Sequence, residues 1–132
     1  LAYPLLGVVS LFVSMLRNGY GAEHIILSED FNMDRRLDDN PTGTRFAKKG
    51  QRVRNAFFDA ILSLGFYDCV KKSYPDYVQT YRAGRGDYPW QLDHMFATES
   101  LYDRLESVHI VANAATIKAS DHNPIVAEFK LR

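Results

Sequence analysis

Trp90-Gln91-Leu92-Asp93-His94-Met95-Phe96-Ala97 alternates with a period of two. An extended chain therefore puts Trp90, Leu92, His94 and Phe96 on one face and Gln91, Asp93, Met95 and Ala97 on the other. The first face is aromatic. The second carries an aspartate inside an otherwise apolar strand, where a carboxylate is disfavoured and needs a partner. Asp93 thus points away from the aromatic face and marks the strand as a candidate wall of a polar site.

Working outward, Tyr77 to Tyr81 reads as a strand, and Ala83-Gly84-Arg85-Gly86-Asp87 joins it to Trp90 as a hairpin connection. Thr98 is placed to cap a short helix through Leu105, and Val108 to Val111 and Ile125 to Leu131 read as later strands. Towards the N-terminus, Val53, Phe57, Ala60, Ile61 and Leu64 fall at helical spacing, with Gly65 suited to the residue after a helix end. Asp34 to Gly50 has little periodicity, and Asp38-Asp39-Asn40-Pro41 marks a loop. Ile25 to Leu27 is a short apolar run, read as an interior strand covered on both faces and ending at Asp30 and Asn32. A first helix is predicted from about Leu5 to Arg17, stopping near Asn18-Gly19.

The 132 residues suffice for one domain, spanning 1–132, with a real core. Sixteen basic and sixteen acidic side chains cancel, which excludes a global field steering the chain onto nucleic acid. The single cysteine, Cys69, excludes an internal disulfide framework and fits a reducing, cytoplasmic compartment. Leu5 to Leu16 is apolar all round, but Gly7, Ser10 and Ser14 interrupt it and it falls short of the roughly 20 residues that span a bilayer. A buried helix is favoured over a membrane or export segment.

Three segments share a chemistry: Ser28-Glu29-Asp30-Phe31-Asn32, Trp90-Gln91-Leu92-Asp93-His94 and Ser120-Asp121-His122-Asn123-Pro124. In this order and spacing they resemble the C-terminal half of the endonuclease/exonuclease/phosphatase family, the DNase I-like metal-dependent phosphodiesterases. The resemblance implies an α+β chain, half of a DNase I-like four-layer sandwich, with a mixed β-sheet and helices packed on one face. It implies a phosphate-ester substrate, nucleic acid among the candidates, and Mg²⁺ or Mn²⁺ as cofactor. Phosphodiester hydrolysis needs a nucleophilic water, a base, and positive charge for the phosphorane oxygens and leaving group. By resemblance His122 is the general base and Asp93 orients it through its other ring nitrogen. Asp121 is a metal ligand, and Asp30 with Asn32 contacts the ion or positions water and phosphate. Tyr81 and Trp90 match a hairpin that commonly lines the family's substrate groove.

Each piece has a plainer reading. Asp121-His122 before Asn-Pro suits turn chemistry, Asp30 suits a strand end, and Tyr81 and Trp90 suit core packing. Arg45, Lys48, Lys49, Arg52 and Arg54 could contact phosphates, or form a solvated helix face offset by Asp34, Asp38 and Asp39. His24 and His109 read as structural residues in apolar strands. Two departures from the family stand out. Glu29 occupies a place where the family usually has glycine, and could crowd the site or add a ligand. The family's N-terminal half, with an upstream metal-binding glutamate, its companion asparagine and a middle-region histidine or tyrosine on the phosphate, is expected to be missing. That absence predicts weaker ion binding and an apolar sheet face left open, to be covered in a homodimer or by a complementing N-terminal half. The rival expectation is a catalytically incomplete remnant that keeps the fold and dimerises.

Overall fold

The computed structural model describes residues 2–35, 47–82 and 89–131. The chain opens with helix α1 (Ala2–Tyr20). Leu6, Val9, Val13 and Leu16 recur at helical spacing and face the core. The expected stop at Asn18-Gly19 comes two residues later. Gly21 takes φ 63° and its N–H donates to Arg17 O, which closes the helix with a left-handed αL cap; the Ala22 N–H donates to Leu16 O. Helix α2 (Ala47–Ser63) buries Phe57, Phe58 and Ile61, and Gly65 follows it at φ 87°, as the sequence predicts.

Strand β1 (Ile26–Asp30), β2 (Phe66–Asp68) and β3 (Asp93–Thr98) form one sheet. Its order is β1-β3-β2 and both pairings are antiparallel. The aromatic face of β3 packs under α1 and α2, where Phe31, Phe57, Phe58, Phe66 and Phe96 make one cluster. Burying each such ring contributes roughly 1.5–3 kcal/mol. The other face of β3, with Met95 and Ala97, meets a two-stranded antiparallel sheet of β4 (Leu105–Ile110) and β5 (Ile125–Phe129). Between the strands lie the short helices α3 (Val70–Ser73), α4 (Glu99–Tyr102) and α5 (Ala114–Ala119). The α+β class is as expected and the two long helices share one face of the sheet, but every strand pairing among the described residues is antiparallel where a mixed sheet was expected, and the short α3 packs on the opposite face.

Four local expectations change. β1 is an edge strand, and Ile26 is 47% exposed, because α1 and α2 cover only the face of Leu27. Tyr77–Tyr81 is no regular strand; only Tyr81 makes isolated bridges, to Trp90 and His122. Thr98 does not cap α4 with its side chain. Its Oγ1 instead donates to Glu23 O and accepts from Ile25 N–H, tying the start of β1 to β3, and Leu105 begins β4 rather than ending a helix. Asp34 is fully buried and accepts the Gln91 N–H at 2.8 Å. Asp38, Asp39, Arg45 and the Gly84 connection lie outside the described residues. No helix among the described residues is long and apolar enough to cross a membrane.

Candidate active site

The register of β1 on β3 sets Asp30 directly opposite Asp93. Side chains of a directly opposed pair leave the sheet on the same face, so two carboxylates share the face turned away from the aromatic core. Like charges so placed repel. The relief comes from His122, whose Nδ1 lies 2.8 Å from Asp93 Oδ2 and whose Nε2 lies 3.9 Å from Asp30 Oδ2. One ligand atom from each of Asp30, Asp93 and His122 can be chosen so that all three lie within 4.8 Å of one another. The hydrogen bond that the imidazole donates to Asp93 raises its pKa above the ordinary value, against burial, with the charges of Asp93, Asp30 and Asp121 adding to it.

Backbone pairing delivers the histidine. Tyr81 bridges both Trp90 and His122, so one residue joins the segment before β3 to the turn before β5. The Tyr81 ring lies 4.9 Å from the imidazole, tilted by 46°, and thus packs on the candidate base rather than in the main core. Asn123, 4% exposed, donates its backbone N–H to Thr80 O at 2.6 Å and its side-chain amide to Gln79 O. The Arg82 guanidinium bonds Asn123 Oδ1 and Ser120 O, and His122 N–H donates to Ser120 Oγ at 3.0 Å. Asp30 is braced differently. Its Oδ1 accepts the Asn32 N–H at 2.9 Å across a turn in which Asn32 takes φ 51°, a conformation asparagine tolerates better than most residues.

Asp30, Asp93, His122 and Asn123 line a cleft of about 340 Å³ with Ser28, Glu29, Ser120, Pro124 and Ile125. The structure brings together His122, Asp93 and Asp30, with Asn32 bonded to Asp30 through its backbone and Tyr81 against the imidazole. Asp121 is exposed and stands outside the group of three, although its charge acts on His122. Trp90 is half-buried and takes the N–H groups of Thr80 and Tyr81 on its carbonyl. Glu29 lines the cleft, but it pairs with His94 and leaves the pleat on the side opposite Asp30. His94 is buried against Phe58 at 4.7 Å, and its Nε2 lies 2.7 Å from Met33 O; burial pulls it below the usual imidazole value. His24 and His109 are exposed, the first bonded to Ser100 and the second 3.9 Å from Glu128. Sequence reasoning gave no site role to Arg82 or Asn123. Asn123 stands inside a quoted motif and could have been found there; Arg82 carries no local signal.

The fold is shared with solved nucleases and phosphatases. A 3′ phosphatase from Neisseria, solved bound to a product DNA hairpin, superposes with a TM-score of 0.69 at 21% identity, over 90% of this chain and 50% of that one. An AP endonuclease from Archaeoglobus fulgidus gives 0.69 at 21% identity, over 98% of this chain and 55% of its own. The chain has the fold of half an endonuclease/exonuclease/phosphatase domain. A 3′-5′ exonuclease from Neisseria meningitidis is a further DNase I-like likeness, with a TM-score of 0.67 at 22% identity, over 89% and 50% of the two chains. An exodeoxyribonuclease of Bacillus subtilis (strain 168) is 30% identical over 110 residues, 76% of this chain and 42% of that protein. This chain therefore spans about half the length of the DNase I-like proteins it matches. No family model matches it.

Proposed function

We propose that this chain carries the carboxylate–histidine part of a metal-dependent phosphodiesterase, nuclease-like in its substrate, with His122 as general base. The observation that carries this reading is the 2.8 Å contact of His122 Nδ1 with Asp93 Oδ2. In the neutral ring Nδ1–H donates to the carboxylate, which leaves the Nε2 lone pair facing the cleft and Asp30. The 3.9 Å between Nε2 and Asp30 Oδ2 is too long for a direct hydrogen bond and suits a water held by both. Nε2 takes the proton of that water as it attacks phosphorus, and Asp93 stabilises the imidazolium so formed. Asp30, itself fixed by Asn32, orients the water.

Opposed carboxylates with oxygen donors and no thiolate among them match a hard cation. Mg²⁺ or Mn²⁺, held by Asp30 and, as the family resemblance implies, by Asp121, would neutralise the acidic pair and supply positive charge to the phosphoryl oxygens and leaving group. Tyr81, whose ring packs on His122, and Trp90, bridged to Tyr81, would contact a base or sugar, as the family resemblance implies. The relatives include an exodeoxyribonuclease, a 3′-5′ exonuclease and an AP endonuclease, which supports a nucleic-acid phosphate ester. The test is hydrolysis of a chromogenic phosphodiester with Mg²⁺ or Mn²⁺ by the wild-type chain and by His122→Ala. Metal-dependent turnover lost in the variant supports the reading. No turnover above the variant's background sinks it for the chain alone and favours a catalytically incomplete module.

One observation favours an assembly. Val8, Leu11, Phe12 and Met15 are 47–73% exposed and lie on one side of α1, away from its core face. Contiguous apolar surface of this kind is seldom left bare. We propose that the chain works as a homodimer or with a complementing half of the same fold. A monomer at micromolar concentration by light scattering would exclude the homodimer.

A further inference from the structure

We infer that the Thr80 hydroxyl is the positioning group that sets Asp93 against His122. β2 lies along one edge of β3 only as far as Phe96, with Cys69 N–H reaching Met95 O. Beyond that point the edge of β3 has no neighbouring strand among the described residues, and the amides of Leu92 and Asp93 need other acceptors. Thr80 Oγ1 takes both, at 3.0 Å each. The same residue donates its N–H to Trp90 O at 2.8 Å and accepts the Asn123 N–H at 2.6 Å. Thr80 is fully buried.

Two roles separate within this one residue. Its backbone binds the residue after His122, and its side chain binds the amide of Asp93 itself. The backbone bonds belong to any amino acid, whereas the bifurcated acceptor requires an oxygen at Cβ. Serine keeps it. Valine has the shape of threonine but leaves two half-buried N–H groups unpaired, and the start of β3 must shift to satisfy them. Because the Asp93 carboxylate hangs from that backbone, a shift there moves Oδ2 away from Nδ1, and the base loses its orientation while the fold keeps its core.

The inference rests on Asp93 and His122 acting as the catalytic pair, so its test must not depend on turnover. The Nδ1–H proton held by Asp93 is to be followed as a downfield resonance by proton NMR, in metal-free wild type, Thr80→Ser and Thr80→Val. Retention in Thr80→Ser with loss or displacement in Thr80→Val supports the role. A wild-type resonance in folded Thr80→Val overturns it, as does its loss in Thr80→Ser. Amide exchange adds a second measurement should Thr80→Val fail to fold. Leu92 and Asp93 keep wild-type protection in Thr80→Ser if the hydroxyl holds them, and faster exchange confined to those two overturns the assignment. Where turnover is present, Thr80→Val lowers kcat with KM unchanged, whereas failure of the His122→Ala comparison strikes the function and leaves the resonance test standing.

Discussion

Replacing Asp30 by asparagine should move stability and ion binding in opposite directions. In the metal-free protein at a pH high enough to deprotonate His122, the Asp30–Asp93 pair has lost its positive neighbour. A directly opposed like-charge pair costs up to about 1 kcal/mol. With side chains 32% and 19% exposed, solvent screening reduces the repulsion but does not abolish it, which leaves roughly 0.5 kcal/mol to recover. The Asn32 N–H still finds an amide oxygen at the substituted position, so the turn survives. Asp30→Asn should therefore melt about 1–3 °C higher than wild type in chelator. Magnesium reverses the order. At an ion concentration about tenfold above its dissociation constant, wild type gains about 1.4 kcal/mol by mass action, and the variant gains little. The assay is differential scanning fluorimetry of both proteins with chelator and across a Mg²⁺ titration. Equal upward shifts in the two proteins would refute the placement of the ion at Asp30, and a variant less stable than wild type in chelator at that pH would refute the repulsion.

Three other outcomes are expected. Asp93→Asn removes a charge-assisted hydrogen bond worth about 2–3 kcal/mol in the transition state, a loss of roughly 30- to 150-fold in kcat, measured on the chromogenic ester; an unchanged kcat would mean that the contact does not orient the base. His94 has its proton affinity lowered by burial, so the unfolded chain binds more protons than the folded one. Its contribution is fully present above about pH 6.5 and is lost as pH falls through the lowered folded value, with a slope of at most about 1.4 kcal/mol per pH unit. Urea unfolding at several pH values should show this slope, flattened in His94→Gln. Burial pushes the Cys69 thiol up to about 12, and the side chain is fully buried. It should resist a thiol reagent in the native state and react stoichiometrically on unfolding, whereas rapid native labelling would contradict its packing.

Strand periodicity made Asp93 legible, whereas His122, Asp30 and Asn32 were marked out by the resemblance of their motifs to a known family. Asp93 stood out as the one carboxylate in an alternating apolar strand, and the pleat that sends His94 and Phe96 to the core sends Asp93 the other way. α2 was legible through Phe57, Ile61 and Gly65. Other features depend on distant partners. The three residues of β2 have no pattern long enough to show a period, and Tyr77–Tyr81 has strand-like composition, yet only Tyr81 finds partners that make bridges. Thr98 has the right type and place for a helix cap, but Glu23 and Ile25 compete for its hydroxyl and win. The acceptor role of Thr80 is invisible without knowing where β2 ends.

The bridge from Tyr81 to His122 has a consequence for the order in which the molecule acquires its parts. Asp93 and His122 are 29 residues apart, and Asp30 joins them only through the antiparallel register of β1 on β3. Non-local pairings of this kind form after their loop-closure entropy has been met. During synthesis, both carboxylates leave the ribosome before the imidazole that accommodates them. The emerging chain therefore holds an acidic pair with no base, and the constellation closes only when the Ser120–Pro124 turn docks on Thr80 and Tyr81. The same docking step is the natural place for the site to come apart, since fraying of the final hairpin withdraws His122 while the aromatic core under α1 and α2 stays intact.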